Sequence, residues 1–227
     1  MKNVLITGGT GFLGSHIAKR ILPKVDTLTI VTLNIKQKTS LKNLGLDAKK
    51  INLVEGDIRD NNFIKLLFNE YEFDTVFHLA ALSEVKKCQP NPLLAFETNI
   101  TGTVNILEAC RIYNVKAVAV SSSDKAYGRG KVPYHEDYAY ISLVENISKT
   151  KGEAFNIGSG EIVTIEDVVS TILSKIDTNI LINYKEKDFP EISNQYLNSN
   201  KIYEYTGWKP NTNLSDGLDK TIKVYKN

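Results

Sequence analysis

The run Thr7-Gly8-Gly9-Thr10-Gly11-Phe12-Leu13-Gly14 constrains the fold more than any other stretch. It stands between a short apolar run, Val4-Leu5-Ile6, and an apolar-periodic segment from Phe12 to Leu22. A buried strand, a glycine turn and a helix in that order open a βαβ unit. Within the turn, Gly8 can take the tight bend, Gly11 lets the backbone approach a pyrophosphate, and Gly14 lets the helix pack close to the sheet. The helix start then offers unbonded N–H groups and a favourable dipole to phosphate oxygens. An ordinary tight turn also uses glycine, so it is the strand-turn-helix setting that gives the motif its weight.

Strand and helix patterns alternate onward. Strands are expected at Thr27–Leu33, Ile51–Val54, Thr75–Leu79 and Lys116–Val120, and helices at Asn61–Asn69 and Pro92–Tyr113. Such alternation predicts an α/β fold, a Rossmann-like doubly wound parallel sheet of order 3-2-1-4-5 with ligands at the carboxyl ends of its strands. After Tyr127 the text changes character. Residues Gly128–Tyr138 are polar and turn-rich, and Ala139–Asn146 reads as a short helix. Ala154–Ile157 and Ile180–Asn183 read as strands, Ile165–Lys175 as a helix and Leu214–Tyr225 as an amphipathic helix. The expected division is a dinucleotide-binding domain over 1–138 and a small α+β region over 139–227.

Composition narrows the function classes. Lys+Arg 28 against Asp+Glu 26 gives a net charge of +2, and the lysines are scattered rather than striped, which argues against nucleic-acid or membrane binding. No segment has the apolar length of a bilayer span, and the start reads as strand and turn rather than a signal peptide. Cys88 and Cys110 form no CxxC or Cys/His cluster, so a reduced cytoplasmic protein without a metal site is expected.

At the end of the second strand an acidic residue would take the adenosine ribose hydroxyls and a basic one a 2′-phosphate. The run there is Thr32-Leu33-Asn34-Ile35-Lys36, and neither signal is clean. NAD is favoured, with NADP left open. Asp57, after the third strand, is equally placed to accept from the adenine amino group or to cap the helix beginning near Asp60.

Taken together, the pieces resemble the extended short-chain dehydrogenase/reductases, specifically the NAD-dependent nucleotide-sugar epimerases and 4,6-dehydratases. The residues that carry the resemblance are TGGTGFLGSHI from Thr7, GDIRD from Gly56, HLAA from His78, TNITGTVNILEAC from Thr98 and SSSDKAYG from Ser121. GEAFNIGSGE from Gly152, EISNQYLNSNKI from Glu191 and GWKP from Gly207 follow in the expected order. The resemblance implies that Gly8, Gly11, Phe12, Leu13 and Gly14 hold the pyrophosphate and that Asp57 and Ile58 flank the adenine. It implies further that Leu79, Ala80, Ala81, Asn99 and Ser121 line the cofactor groove, that Ser83 faces the substrate, and that Asn156 belongs to the nucleotide-sugar side. For the apolar members, core packing is the alternative role.

Ser121-Ser122-Ser123-Asp124-Lys125 is similar to the dehydratase version of the family, of the kind acting on CDP-glucose or UDP-N-acetylglucosamine. By that likeness Ser123 bonds the sugar 4-hydroxyl, Asp124 protonates the departing 6-hydroxyl, and Lys125 is the base for the C5 proton or its positioning partner. In isolation, an Asp-Lys pair on a loop reads as solvated surface.

The family's chemistry also uses a Tyr-x-x-x-Lys pair on one helix face. That spacing occurs only at Tyr127–Lys131, around Gly-Arg-Gly, and at Tyr205–Lys209, around Thr-Gly-Trp before Pro210. Neither stretch suits a helix. Tyr134, Tyr138 and Tyr140 have no lysine at that spacing. The resemblance therefore implies an internal deletion near Asp137–Ala139, of about one hundred residues or three βα segments. It also implies an uncovered apolar stripe on the Pro92–Tyr113 helix, a fifth strand left as a sheet edge, and an incomplete helix pair for any homodimer. Three functions follow: a nucleotide-sugar dehydratase or epimerase with a substitute base, a non-catalytic remnant, or a sensor of NAD or a nucleotide sugar.

Overall fold

The computed structural model describes residues 1–36, 39–46, 50–123, 134–135, 145–176, 180–184 and 196–225. The chain forms two compact units, Met1–Ser121 and Ser122–Asn227.

In the first unit, β1 (Asn3–Thr7), β2 (Thr27–Thr32), β3 (Asn52–Glu55), β4 (Thr75–His78) and β5 (Ala117–Val120) form one sheet of order β3-β2-β1-β4-β5. Every pairing is parallel. This is the expected Rossmann-like arrangement. β1 and β4 lie in the interior of the sheet, which is why they read as unbroken apolar runs; Val4, Leu5, Ile6, Val76 and Phe77 have no exposed surface. β5 pairs with β4 alone among the described residues and is a sheet edge.

Helices α1 (Phe12–Ile21), α2 (Thr39–Asn43), α3 (Asn61–Glu70) and α4 (Val85–Cys88) follow in turn. α3 starts at Asp60, whose carboxylate accepts from Asn62 N–H at 2.8 Å and Phe63 N–H at 3.2 Å. The cap is thus Asp60 and not Asp57. The long helix runs as α5 (Pro92–Phe96), a π-turn over Glu97–Thr101, and α6 (Gly102–Ile112). α3 and α6 close one core with Leu5, Val31, Ile58, Phe68, Phe73 and Ile106. Facing away, Leu93, Phe96, Ile100, Val104 and Leu107 are each 42–65% exposed, an apolar stripe at helical spacing.

The second unit holds a two-stranded parallel sheet of β6 (Tyr134–His135) with β7 (Leu197–Asn198), and helices α7 (Ile147–Thr150), α8 (Ile165–Ile176), α9 (Asn200–Thr206) and α10 (Leu214–Tyr225). Ala154–Ile157, expected as a strand, has no regular structure. Its apolar residues are satisfied by packing instead, with Phe155 buried against Ile202, Tyr205 and Trp208. Ile180–Asn183 is also irregular: Leu181 is 91% exposed, and no strand pairs with the segment among the described residues. The Ala139–Asn146 helix falls on residues of which 139–144 lie outside the described ones, as does the Asp137–Ala139 join.

Candidate functional site

The strand order reverses between β1 and β4, and in a sheet of this order the ligand crevice lies outside the carboxyl ends at that switch point. Gly8 stands at that point with φ +70°. A Cβ on Gly8 would lie 2.8 Å from Ala80 N and 2.9 Å from both Ala80 Cα and the Leu79 carbonyl carbon. Only glycine fits there, on both backbone conformation and space. At Gly14 a Cβ would collide with Gly8 O and lie 2.7 Å from Gly9 Cα. Gly11 N–H donates to Gly8 O at 3.0 Å, closing the turn. Gly11 is also the N-cap of α1 and supplies no side-chain cap, so the first-turn N–H groups of Phe12 and Leu13 donate no hydrogen bond to a cap side chain, and such groups can bind an anion. Both side chains are exposed.

The ends of β2 and β3 form the next wall. Thr10 Oγ1 lies 3.2 Å from Thr32 Oγ1, tying the glycine turn to β2. Beyond Thr32, Asn34 accepts from Lys36 N–H at 2.8 Å, and Ile35 N–H donates to Glu55 Oε2 at 2.9 Å. Asp57 Oδ1 accepts from Arg59 N–H at 2.9 Å and Asp57 Oδ2 from Arg59 Nε at 2.9 Å. Arg59 also reaches Glu97 of the π-turn at 3.4 Å. The hydrogen bond from Arg59 holds the Asp57 carboxyl below the usual range, so it stays an anion and an acceptor. Ile58 is buried against Gly102 and offers its side chain to the core.

A polar chain runs beneath the end of β4. Thr103 Oγ1 donates to Asn99 O at 2.8 Å, so it accepts from His78 Nε2–H at 2.9 Å. That leaves His78 Nδ1 to accept the Thr7 hydroxyl proton at 2.7 Å, while Thr7 Oγ1 accepts Ala80 N–H at 3.3 Å. Every partner is satisfied by one neutral tautomer, and burial pushes the His78 pKa down to about 4. Above this chain Asn99 clamps Leu82 with both ends of its amide, accepting Leu82 N–H at 2.7 Å and donating to Leu82 O at 2.9 Å. The π-turn carries this clamp, a placement that π-turns often have at functional sites. Thr7, His78 and Thr103 were not singled out from the sequence; their alignment depends on which strand ends are neighbours.

The expected groove residues Leu79, Ala80, Ala81 and Asn99 thus share one end of the sheet with the glycine turn. Ser83 is exposed one residue past the clamp. Ser121 N–H donates to His78 O at 2.9 Å, extending β5 to the same end. Ser123 is exposed, and Asp124 and Lys125 lie outside the described residues. In the second unit Asn156 is fully buried, its Nδ2 donating to Asn198 O at 3.5 Å. Close by, Gly158, Tyr196, Asn198, Tyr203, Trp208 and Lys209 line a cavity of about 450 Å³. Tyr205 lies in the last turn of α9, and Gly207 with φ +71° turns the chain before Lys209, so that pair does not share a helix face. Cys88 and Cys110 are free thiols, and burial pushes Cys110 up to about 12. No group of metal ligands and no helix long and apolar enough to cross a membrane occurs among the described residues.

Comparison with known proteins adds ancestry to this geometry. The GDP-mannose 4,6 dehydratase family pattern matches residues 5–143. A dTDP-D-glucose 4,6-dehydratase of Dictyostelium discoideum is 28% identical over 214 residues, covering 88% of this chain and 49% of its own length. A UDP-glucose 4-epimerase of Neisseria meningitidis is 35% identical over 144 residues, covering 60% of this chain and 41% of its own. The chain therefore spans half or less of the length of these relatives. Among solved structures, UDP-glucose-4-epimerase from Stenotrophomonas maltophila, with bound NAD and formylated UDP-arabinopyranose, superposes at TM-score 0.82 and 17% identity over 100% of this chain and 97% of that one. The dTDP-glucose 4,6-dehydratase from Bacillus anthracis in complex with NAD gives TM-score 0.76 at 18% identity, over 100% and 97%. These likenesses establish the common fold, and on the family match over residues 5–143, more than half its length, the chain belongs to the GDP-mannose 4,6 dehydratase family, among the NAD-dependent nucleotide-sugar epimerases and dehydratases.

Proposed function

We propose that this chain holds NAD at the glycine turn of its first unit and descends from a nucleoside-diphosphate-glucose 4,6-dehydratase whose sugar turnover was lost with the family's tyrosine base. The observation that carries the reading is the glycine turn: Gly8 closes on the Ala80 backbone and Gly14 on Gly8 and Gly9, while Gly11, where an added Cβ would meet only Gly8 O at 3.2 Å, opens α1 without a side-chain cap, the arrangement by which a backbone approaches a pyrophosphate. When bound, NAD supplies a hydride acceptor for a sugar carbon. Gly8, Gly11, Phe12, Leu13 and Gly14 hold its phosphates, Asp57 offers the adenine an acceptor, and Leu79, Ala80, Ala81, Asn99 and Ser121 line the groove. Ser83 serves the sugar side, and buried Asn156 serves it indirectly, through the Asn198 backbone that it holds. Residues 1–138 form the NAD-binding part, and 139–227 are what remains of a nucleotide-sugar region shortened near Asp137–Ala139. The related dehydratases and epimerases named above support a nucleotide sugar as the partner class.

Loss of turnover follows from proton transfer. Oxidising a sugar hydroxyl needs a base in reach of its proton, and removing such a group lowers rate by about 10²–10⁴-fold or more. Tyr205 and Lys209 are parted by the turn at Gly207. Retention of Ser123-Asp124-Lys125 favours a second reading, an active dehydratase with a substitute base. Mass spectrometry of CDP-, UDP- and dTDP-hexoses after incubation with the chain and NAD separates the two. Unchanged sugars beside measurable NAD binding support the first reading, and a product lighter by one water establishes the second.

A further inference from the structure

In a sheet of this order the carboxyl end of β2 meets the adenosine ribose of a bound dinucleotide, where an acidic side chain takes the ribose hydroxyls and a basic one takes a 2′-phosphate. β2 and its turn carry no carboxylate: the residues are Thr32, Leu33, Asn34, Ile35 and Lys36. Asn34 spends its side-chain oxygen on Lys36 N–H. The carboxylate arrives from the neighbouring strand. Glu55 ends β3 in register with Thr32, and its Oε2 reaches across to accept Ile35 N–H at 2.9 Å. Oε1 of the same group takes no hydrogen bond among the described residues, and the residue is exposed. Because Thr10 and Thr32 touch through their hydroxyls, this carboxylate stands on the wall that adjoins the glycine turn.

We propose that Glu55 is the specificity-determining residue of the dinucleotide site and selects NAD over NADP; the proposal rests on the reading that the glycine turn holds a dinucleotide. Its open oxygen accepts a hydrogen bond from a ribose hydroxyl, which NADP lacks at the 2′ position. Its charge also opposes a 2′-phosphate. The opposing influence is Lys36, exposed on the same turn, whose backbone N–H is fixed by Asn34. Glu55 prevails because its carboxylate is fixed by the bond from Ile35 N–H, whereas Asn34 fixes only the backbone of Lys36. No position on β2 reveals this preference, since the acid comes from a residue distant in sequence and adjacent only through the parallel pairing.

The test is calorimetric titration of the full chain, and of Glu55→Gln and Glu55→Lys, with NAD and with NADP. Gln keeps an acceptor for Ile35 N–H and removes only the charge. The wild-type chain is expected to bind NAD more tightly. Glu55→Gln should narrow the ratio of affinities by about tenfold, the scale of one charge pair a few ångströms apart at an exposed site, and Glu55→Lys should invert it. A wild-type chain that prefers NADP overturns the proposal, as does a ratio that neither variant moves; in both cases the dinucleotide reading survives, because binding was seen. Wild-type chain that binds neither nucleotide overturns the dinucleotide reading itself, and the assignment of Glu55 with it.

Discussion

At the scale of single residues, His78 makes the site sensitive to acid. Buried between the Thr7 and Thr103 hydroxyls, it titrates at about 4 in the fold, against about 6.5 in an open chain. Between those values the unfolded chain binds a proton that the folded chain refuses. Stability from this group is therefore complete above about pH 6.5 and is lost as pH falls toward 4, by about 3 kcal/mol in all. Urea denaturation across that window should show the slope in the wild-type chain and a flatter one in His78→Gln; equal slopes would contradict the assignment. The sequence showed where the glycines must be, because a turn between strand and helix is a local pattern. It did not show His78 as part of the site, nor Glu55, because each takes its meaning from a strand that is distant in sequence.

At the scale of elements, the π-turn at Glu97–Thr101 sets Asn99 over Leu82 and Glu97 toward Arg59. Losing two exposed hydrogen bonds in Asn99→Ala should cost about 1–2 kcal/mol and free the segment after β4. Hydrogen exchange at the Leu82 amide is the check: it should quicken well before the sheet amides do, and an unchanged rate would mean that the clamp holds nothing. The sequence pattern located this helix from Pro92 onward but not the π-turn, since the four-residue spacing of Phe96, Ile100 and Val104 across it is equally that of an α-helix. β1, β2 and β4 were legible because their residues are mostly apolar or β-branched and buried along nearly their whole length. Ala154–Ile157 was read as a strand for the same apolar character, yet Phe155 is satisfied by Ile202 and by a ring contact with Tyr205, without a strand partner.

At the scale of the molecule, the stripe of Leu93, Phe96, Ile100, Val104 and Leu107 and the open edge at β5 are what a shortened chain of this family would leave uncovered. Exposed apolar rows and unpaired strand edges promote association. Sedimentation should show concentration-dependent self-association that Phe96→Glu with Ile100→Glu reduces; a monomer with a high, cooperative melting transition would contradict this. The dinucleotide cradle carries the proposed function. Its most direct measurement is a calorimetric titration of the full chain with NAD, beside Gly8→Ala, whose Cβ would press on Ala80 at 2.8 Å. Saturable binding in the wild-type chain that is lost in a still-folded Gly8→Ala is the predicted result, and a wild-type chain that takes up no NAD, or a variant that binds it equally well, would contradict the account.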